Sequence, residues 1–183
     1  MKKPKLQEKY EGEITKVLAE EVGIKNPLAV PRLMKVVVNM GIGDVLKNKE
    51  TIALLKTDLA TITGQTPSVR PARVSIASFG ILQGMPVGLA VTLRSGKMYS
   101  FLDRLFAIVL PRLRDFKGVS RKSFDRSGNY TLGFKEHTVF PEIDLSKANP
   151  HGLEITLVTN TKDRRVAEKL LSLLGMPFAK EES

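Results

Sequence analysis

In the run Lys35-Val36-Val37-Val38-Asn39, a strand's period of two puts Lys35, Val37 and Asn39 on one face. The same period in Val91-Thr92-Leu93-Arg94 pairs Thr92 with Arg94. Two cations, an amide and a hydroxyl leaving one side of a sheet can grip phosphate oxygens and ribose hydroxyls. The solvent side of any half-buried sheet is also polar, so both readings stay open. Phe79, set among small residues and glycines, can stack on an unpaired base for about 1–3 kcal/mol, or tuck into the core. The densest basic run is Arg112, Arg114, Lys117, Arg121, Lys122 and Arg126, wrapped around Asp115, Phe116 and Gly118 just past Pro111. From Arg70 to Lys135 there are 12 Lys and Arg against 3 Asp and Glu, a net of +9 within a chain of +10. A clustered excess of this kind attracts a polyanion and releases its counterions, whereas scattered lysines mainly confer solubility.

Other chemistry has less to stand on. His137 and His151 have Glu136, Glu142, Asp144 and Glu154 nearby in sequence, but no metal-ligand spacing. They read as loop histidines held by local hydrogen bonds, and no metal or cofactor is expected. Gly41-x-Gly43 follows a strand, yet Leu46 stands where a dinucleotide-binding turn has its third glycine, so a tight turn is the expected use. There is no cysteine, which removes disulfides, thiolate metal sites and cysteine nucleophiles together. No nucleophile elbow, P-loop or carboxylate pair stands out, so no catalytic residue and no small-molecule substrate are expected. The longest apolar stretch, Leu105 to Leu110, is far short of the ~20 residues that span a bilayer. The N-terminal positive charge is followed by no apolar run of the secretory type. A soluble, intracellular protein with no membrane partner is the expectation.

The elements that must hold these residues follow from periodicity. Leu6, Tyr10, Ile14, Val17, Leu18 and Val22 recur at helical spacing, and Gly23 offers a stop. Leu33 to Met40 is a strand, and Ile52, Leu55, Leu59 and Ile62 line a second helix that Gly64 terminates. From Gln65 to Gly88, prolines and glycines break any long element, which predicts a long, partly mobile functional loop flanked by short strands. Val87 to Arg94 is a strand. Met98, Phe101, Leu102, Leu105, Phe106 and Val109 form a third helical stripe that Pro111 ends or kinks. Tyr130 to Phe134 and Leu153 to Thr159 are strands, and a last helix runs from about Lys162 to Leu174, capped by Thr161 and closed by Gly175. No linker or repeat interrupts residues 1–183. The expected fold is one α+β domain, a largely antiparallel sheet with helices packed on one face and long functional loops.

Several of these segments together resemble one family, the large-subunit ribosomal proteins of family five in their bacterial form. The matching stretches include Val38-Asn39-Met40-Gly41-Ile42-Gly43, Ile62-Thr63-Gly64-Gln65-Thr66-Pro67 and Gln83-Gly84-Met85-Pro86-Val87-Gly88. They continue through Leu110-Pro111-Arg112-Leu113-Arg114-Asp115-Phe116-Lys117-Gly118, Ser123-Phe124-Asp125, Phe140-Pro141-Glu142-Ile143 and Gly175-Met176-Pro177-Phe178. Their order and spacing run nearly end to end.

The resemblance implies a non-catalytic, ribosome-associated cytoplasmic protein that binds 5S rRNA, with 23S rRNA, in the central protuberance of the large subunit. It maps the rRNA contacts onto Lys35, Asn39, Gln65, Phe79, Thr92 and Arg94. It implies a loop near the peptidyl-site tRNA, here carrying Arg70, Arg73, Ser75, Ile81 and Gln83. It also implies an intersubunit bridge to the small-subunit ribosomal protein of family thirteen through Arg112, Arg114, Asp115, Phe116 and Lys117. The chain departs from the family pattern at Val74, Gly80 and Leu82, where bacterial members usually carry basic residues. Arg70 and Arg73 are then the loop's only charges, which predicts a weaker electrostatic grip on tRNA, offset by apolar contacts from Ile81 and Leu82. A smaller departure is Arg126-Ser127-Gly128, where the family favours Gly-Arg-Gly.

Overall fold

The computed structural model of the chain describes residues 3–24, 26–46, 48–114, 116–144 and 150–179. Five strands, β1 (Leu33–Gly41), β2 (Ser68–Pro71), β3 (Pro86–Leu93), β4 (Tyr130–Phe134) and β5 (Leu153–Thr159), form an antiparallel sheet in the order β2-β3-β1-β5-β4. Together with packed helices this is the α+β class that the periodicities predict. The strands bury alternate residues, as a sheet covered on one side requires. In β1, Val36, Val38 and Met40 are buried while Lys35, Val37 and Asn39 stay half-exposed; in β5, Ile155 and Leu157 are buried while Glu154 is exposed and Thr156 half-buried.

The chain packs as two compact units. One comprises Met1–Val36, Leu93–Leu132 and Thr156–Ser183. It opens with α1 (Lys5–Lys9), a π-helical turn at Tyr10–Ile14 and α2 (Thr15–Val22), which bury Leu6, Ile14 and Leu18. Gly23, at φ 69°, ends the run in the left-handed conformation that glycine adopts at no steric cost. Later in the chain, α4 (Ser95–Arg104) continues as a π turn (Leu105–Val109) and a 3-10 turn (Leu110–Arg112). All six residues of its predicted stripe, Met98 through Val109, are buried. An aromatic cluster closes this unit: Phe124 meets the Tyr130 ring edge-on with centroids 4.7 Å apart, and Phe178 lies 5.8 Å from Tyr130. The last helix, α5 (Arg164–Leu173), starts two residues later than predicted. Its cap is Asp163, whose carboxylate accepts from the Arg165 amide at 2.8 Å, while Thr161 accepts from the Asp163 amide one step earlier.

The other unit comprises Val37–Thr92 and Gly133–Ile155. Within it, α3 (Lys49–Thr63) is capped by the Asn48 side chain, which accepts from the Glu50 and Thr51 amides, and ends at Gly64 with φ 65°. Leu55, Leu59 and Ile62 are buried on one face of α3, with Ile52 half-buried at its edge. The segment predicted as a long, partly mobile loop flanked by short strands is flanked by β2 and the start of β3, and this hairpin extension carries hydrogen bonds of its own. β2 pairs antiparallel with β3, Ser68 opposite Ala90 and Arg70 opposite Gly88. Beyond Pro71, Ala72 donates to Met85, Gly84 to Ala72, and Ile76 and Ile81 exchange bonds in both directions. Prolines and glycines concealed the register of this hairpin because they disrupt side-chain alternation without preventing backbone pairing at an edge.

Candidate nucleic-acid interface

The strand-borne candidates fall where the period of two places them. Lys35 and Asn39 lie on the half-exposed side of β1, and Thr92 lies on the corresponding side of β3 opposite buried Val91 and Leu93. In the second unit, Ser68 and Arg70 of β2 register against Ala90 and Gly88, on the same side of β3 as Thr92. A Cβ at Gly88 would stand in ordinary contact with its neighbours, 3.7 Å from the Arg70 Cβ and 3.5 Å from the Met40 carbonyl. Gln65, just past α3, donates from Nε2 to the Thr92 carbonyl at 3.3 Å, so it braces this edge as well as bordering it. A cluster of hydroxyls, amides and one guanidinium results, suited to sugar and phosphate oxygens.

Lys35 and Arg94 belong to the first unit. Arg94 is exposed, and its carbonyl begins α4 immediately after β3 ends. The turn is made by Ser95 at φ 51°, the single non-glycine positive φ among the described residues. A serine in that region costs about 1–3 kcal/mol, which the packing around this strand-to-helix corner offsets. Beside it is a depression of about 450 Å³ whose lining includes Arg32, Arg94, Gln7, Tyr10 and Tyr99. Tyr10 and Tyr99 stack with centroids 6.1 Å apart, and the Tyr10 hydroxyl donates to the Pro31 carbonyl at 3.0 Å. Burial, then the neighbouring Tyr10 and Glu11, pushes the Tyr99 phenol up to about 12. Sequence reasoning did not single out Arg32 and Tyr10, which line this depression. Arg32 stands isolated between prolines and apolar residues, and Tyr10 reads as one more member of a helical stripe.

The hairpin extension carries Arg70, Arg73, Ser75 and Gln83 exposed, with Ile81 half-buried. Ser75 Oγ accepts from the Gln83 amide at 2.9 Å, tying the two arms together. Phe79 is 75% exposed, which removes the core-residue reading and leaves its ring accessible. Val74 and Leu82 are also exposed, so the extension presents apolar surface with two arginines. Of the predicted bridge residues, Arg112 closes a 3-10 turn, Arg112, Arg114 and Lys117 are exposed and Phe116 is half-buried. Asp115 lies outside the described residues.

The histidines lie in irregular segments, His137 in a 3-10 turn and His151 just before β5, bonded to each other as expected, and both are buried. His137 is fully buried; its Nδ1 accepts from the His151 amide at 3.2 Å, and Nε2 lies 3.2 Å from Asp58 Oδ2. That pattern puts the ring proton on Nε2, donated to the carboxylate. His151 Nε2 lies 3.3 Å from Asp44 Oδ2. Asp58 comes from α3 and Asp44 from the turn after β1, both distant in sequence from the histidines they face. Among the described residues no group of three or more His, Asp or Glu is placed to hold a metal ion, and no helix is long and apolar enough to cross a membrane. Gly41-x-Gly43 is the tight turn expected, with Ile42 buried and its amide donating to the Val87 carbonyl at 3.0 Å.

Comparison with known proteins identifies the family of the chain. Residues 26–81 match the family model described as ribosomal protein L5, and residues 86–178 match the model for the C-terminus of the same ribosomal family. The chain is 51% identical over 175 residues to the large ribosomal subunit protein uL5 of Chloroflexus aurantiacus, covering 95% of this chain and 97% of the relative. It is 51% identical over 176 residues to the uL5 of Dictyoglomus turgidum, covering 96% and 98%. With the uL5 of Caldanaerobacter subterraneus it shares 50% over 177 residues, covering 96% and 99%. These relatives are ribosomal proteins of the large subunit, not enzymes. On its two family segments and on identity along nearly its whole length, the chain belongs to the ribosomal protein L5 family.

Proposed function

We propose that this chain, a single RNA-binding ribosomal protein domain over residues 1–183, binds 5S rRNA in the central protuberance of the large ribosomal subunit. As a member of its family it is a ribosomal protein rather than an enzyme, and it works on the ribosome in the cytoplasm. The observation that carries the finer reading is the polar side of the strands. In the second unit Asn39 and Thr92 stand on the side opposite the buried valines and leucines; in the first, Lys35 is half-exposed on β1 and Arg94 is exposed just after β3. Gln65 supports this edge and Phe79 supplies an exposed ring for a base. 23S rRNA is the second RNA partner. The hairpin extension, with Arg70, Arg73, Ser75, Ile81 and Gln83, approaches the peptidyl-site tRNA. Arg112, Arg114, Asp115, Phe116 and Lys117 meet the small-subunit protein of family thirteen across the bridge.

The test is affinity for 5S rRNA. Asn39→Ala and Arg94→Ala each remove a hydrogen-bonding group at an RNA contact, worth about 1–3 kcal/mol where the bond is charge-assisted or desolvated, which is roughly a 5- to 150-fold loss. Wild-type affinity in both variants would place the 5S site elsewhere.

A further inference from the structure

The segment from residue 136 onward is acidic by count, with a net charge of −2, yet its fold contributes to a second basic surface within the first unit. Thr159 Oγ1 donates to the Gly128 carbonyl at 2.9 Å, and the Asn129 carboxamide accepts from the Thr159 amide at 3.2 Å. These bonds lay the end of β5 against the turn Asp125–Asn129, so closely that a Cβ at Gly128 would collide with the Thr161 carbonyl. Arg126 on that turn and Lys162 on the connector are thereby brought to one surface. Arg164 Nη2 donates to the Arg121 carbonyl at 2.7 Å, which joins the start of α5 to the 3-10 turn Arg121–Ser123. Lys122 and Arg165 complete the set.

The carboxylates of this region are engaged in local bonds, although Asp125 and Asp163 remain exposed. Asp125 accepts from the Ser127 and Asn129 amides at 2.8 Å and from the Asn129 side chain, whose bond holds its carboxyl below the usual range. Asp163 caps α5, and Glu168 pairs with Arg121. Lys122, Arg126, Lys162 and Arg165 are exposed and make no ion pair with the described residues. Arg164 is also preorganised: its guanidinium carbon stands 5.9 Å over the Phe124 ring. With one bond committed to the Arg121 carbonyl, its remaining N–H donors suit phosphate oxygens.

We infer that this surface binds the phosphate backbone of an RNA helix, through residues other than those assigned above to 5S rRNA. The inference rests on the reading of the chain as an rRNA-binding protein. Two features favour RNA over an acidic protein. No large hydrophobic residue is exposed among the described residues of 119–131 or 160–172, whereas a protein interface needs an apolar or aromatic core. The cations are carried by separate segments, as contacts to successive phosphates require.

The test uses the full chain and two probes: 5S rRNA, and a generic 20-base-pair RNA duplex added to the preformed 5S complex across a potassium chloride series. The triple variant Arg126→Gln, Lys162→Gln, Arg165→Gln removes exposed charges and leaves the Arg164–Phe124 and Arg121–Glu168 contacts in place. The expected result is 5S affinity within twofold of wild type and duplex binding weakened at least tenfold, with a shallower salt dependence. A wild-type 5S complex that does not bind the duplex, or a triple variant that binds it as wild type does, would overturn the inference while leaving the 5S reading intact. Loss of 5S affinity in the variant would also overturn it, by assigning these cations to the first site. Failure of wild type to bind 5S rRNA would sink the earlier reading instead, and the duplex would then be titrated against the free protein with the same expectations. Polyglutamate displacing the duplex at equal charge would assign the surface to an acidic protein and refute the RNA reading.

Discussion

Lysine substitution at Val74 and Leu82 tests the electrostatics of the hairpin extension directly. Both side chains are largely exposed, at 69% and 60%, so a lysine at either site keeps its ammonium in water and disturbs no core contact. Gly80 is unsuitable for the same purpose: it holds φ 61°, where a side chain costs about 1–2 kcal/mol. If the extension approaches tRNA, each new phosphate contact steepens the dependence of log affinity on log salt by roughly 0.7–0.9. Two contacts give about 1.4–1.8, an additional loss of roughly 7- to 12-fold between 50 and 200 mM salt. The assay is retention of tRNA in the peptidyl site of ribosomes reconstituted with wild type or Val74→Lys/Leu82→Lys, measured across that range. Removing Leu82 also removes apolar surface, so the two curves should cross, the variant binding tighter in low salt and no better in high salt. Parallel curves would refute the reasoning, because a loop within reach of phosphates cannot gain two cations without gaining salt dependence.

Two further predictions concern the frame that holds these surfaces. Gly118→Ala introduces a Cβ 2.5 Å from the Ala179 amide nitrogen at φ 105°, forcing apart the strand-like pairing in which Val119 donates to Pro177 and accepts from Ala179. The strain and two lost bonds amount to about 3 kcal/mol, or a melting temperature lower by roughly 6–12 °C; a thermal melt within 2 °C of wild type would contradict it. The phenol of Tyr99, raised to about 12 from an ordinary 10.0, binds its proton more tightly in the folded state. Its contribution is therefore complete below pH 10 and lost as pH rises toward 12. Chemical denaturation at pH 9 and pH 11 should show that loss, and Tyr99→Phe should flatten this part of the profile.

The long, regular elements were legible because their burial patterns are periodic. Leu55, Leu59 and Ile62 gave one helix, Met98 through Val109 another, and Val36, Val38 and Met40 fixed which side of β1 Lys35 and Asn39 occupy. What escaped was decided between segments distant in sequence. The Asp58–His137 pair joins residues 79 positions apart, and no local spacing announces it. The short strands flanking the loop were expected, but the register of β2 was not legible, because an edge strand with Pro71 and exposed side chains has no hydrophobic alternation, only backbone pairing to β3. Phe79 could be assigned to solvent only once the Ile76–Ile81 bridge had closed the turn that carries it.

Charge shows the same division between sequence and fold. Counting along the chain places the basicity between Arg70 and Lys135, but a cation's availability depends on what folds against it. Arg121, at the centre of the densest run, is committed to Glu168 and lies 5.6 Å over the Phe178 ring, so it serves the C-terminal packing more than a ligand. Lys162 and Arg165, counted in an acidic stretch, remain exposed because Asp163 is consumed in capping α5. A carboxylate bonded to backbone amides still contributes its negative charge, but its acceptor oxygens no longer compete for nearby guanidinium and ammonium donors. The basic surface available to RNA is therefore set by where each acid is bound, and in this chain that extends it from Lys122 and Arg126 across to the start of α5.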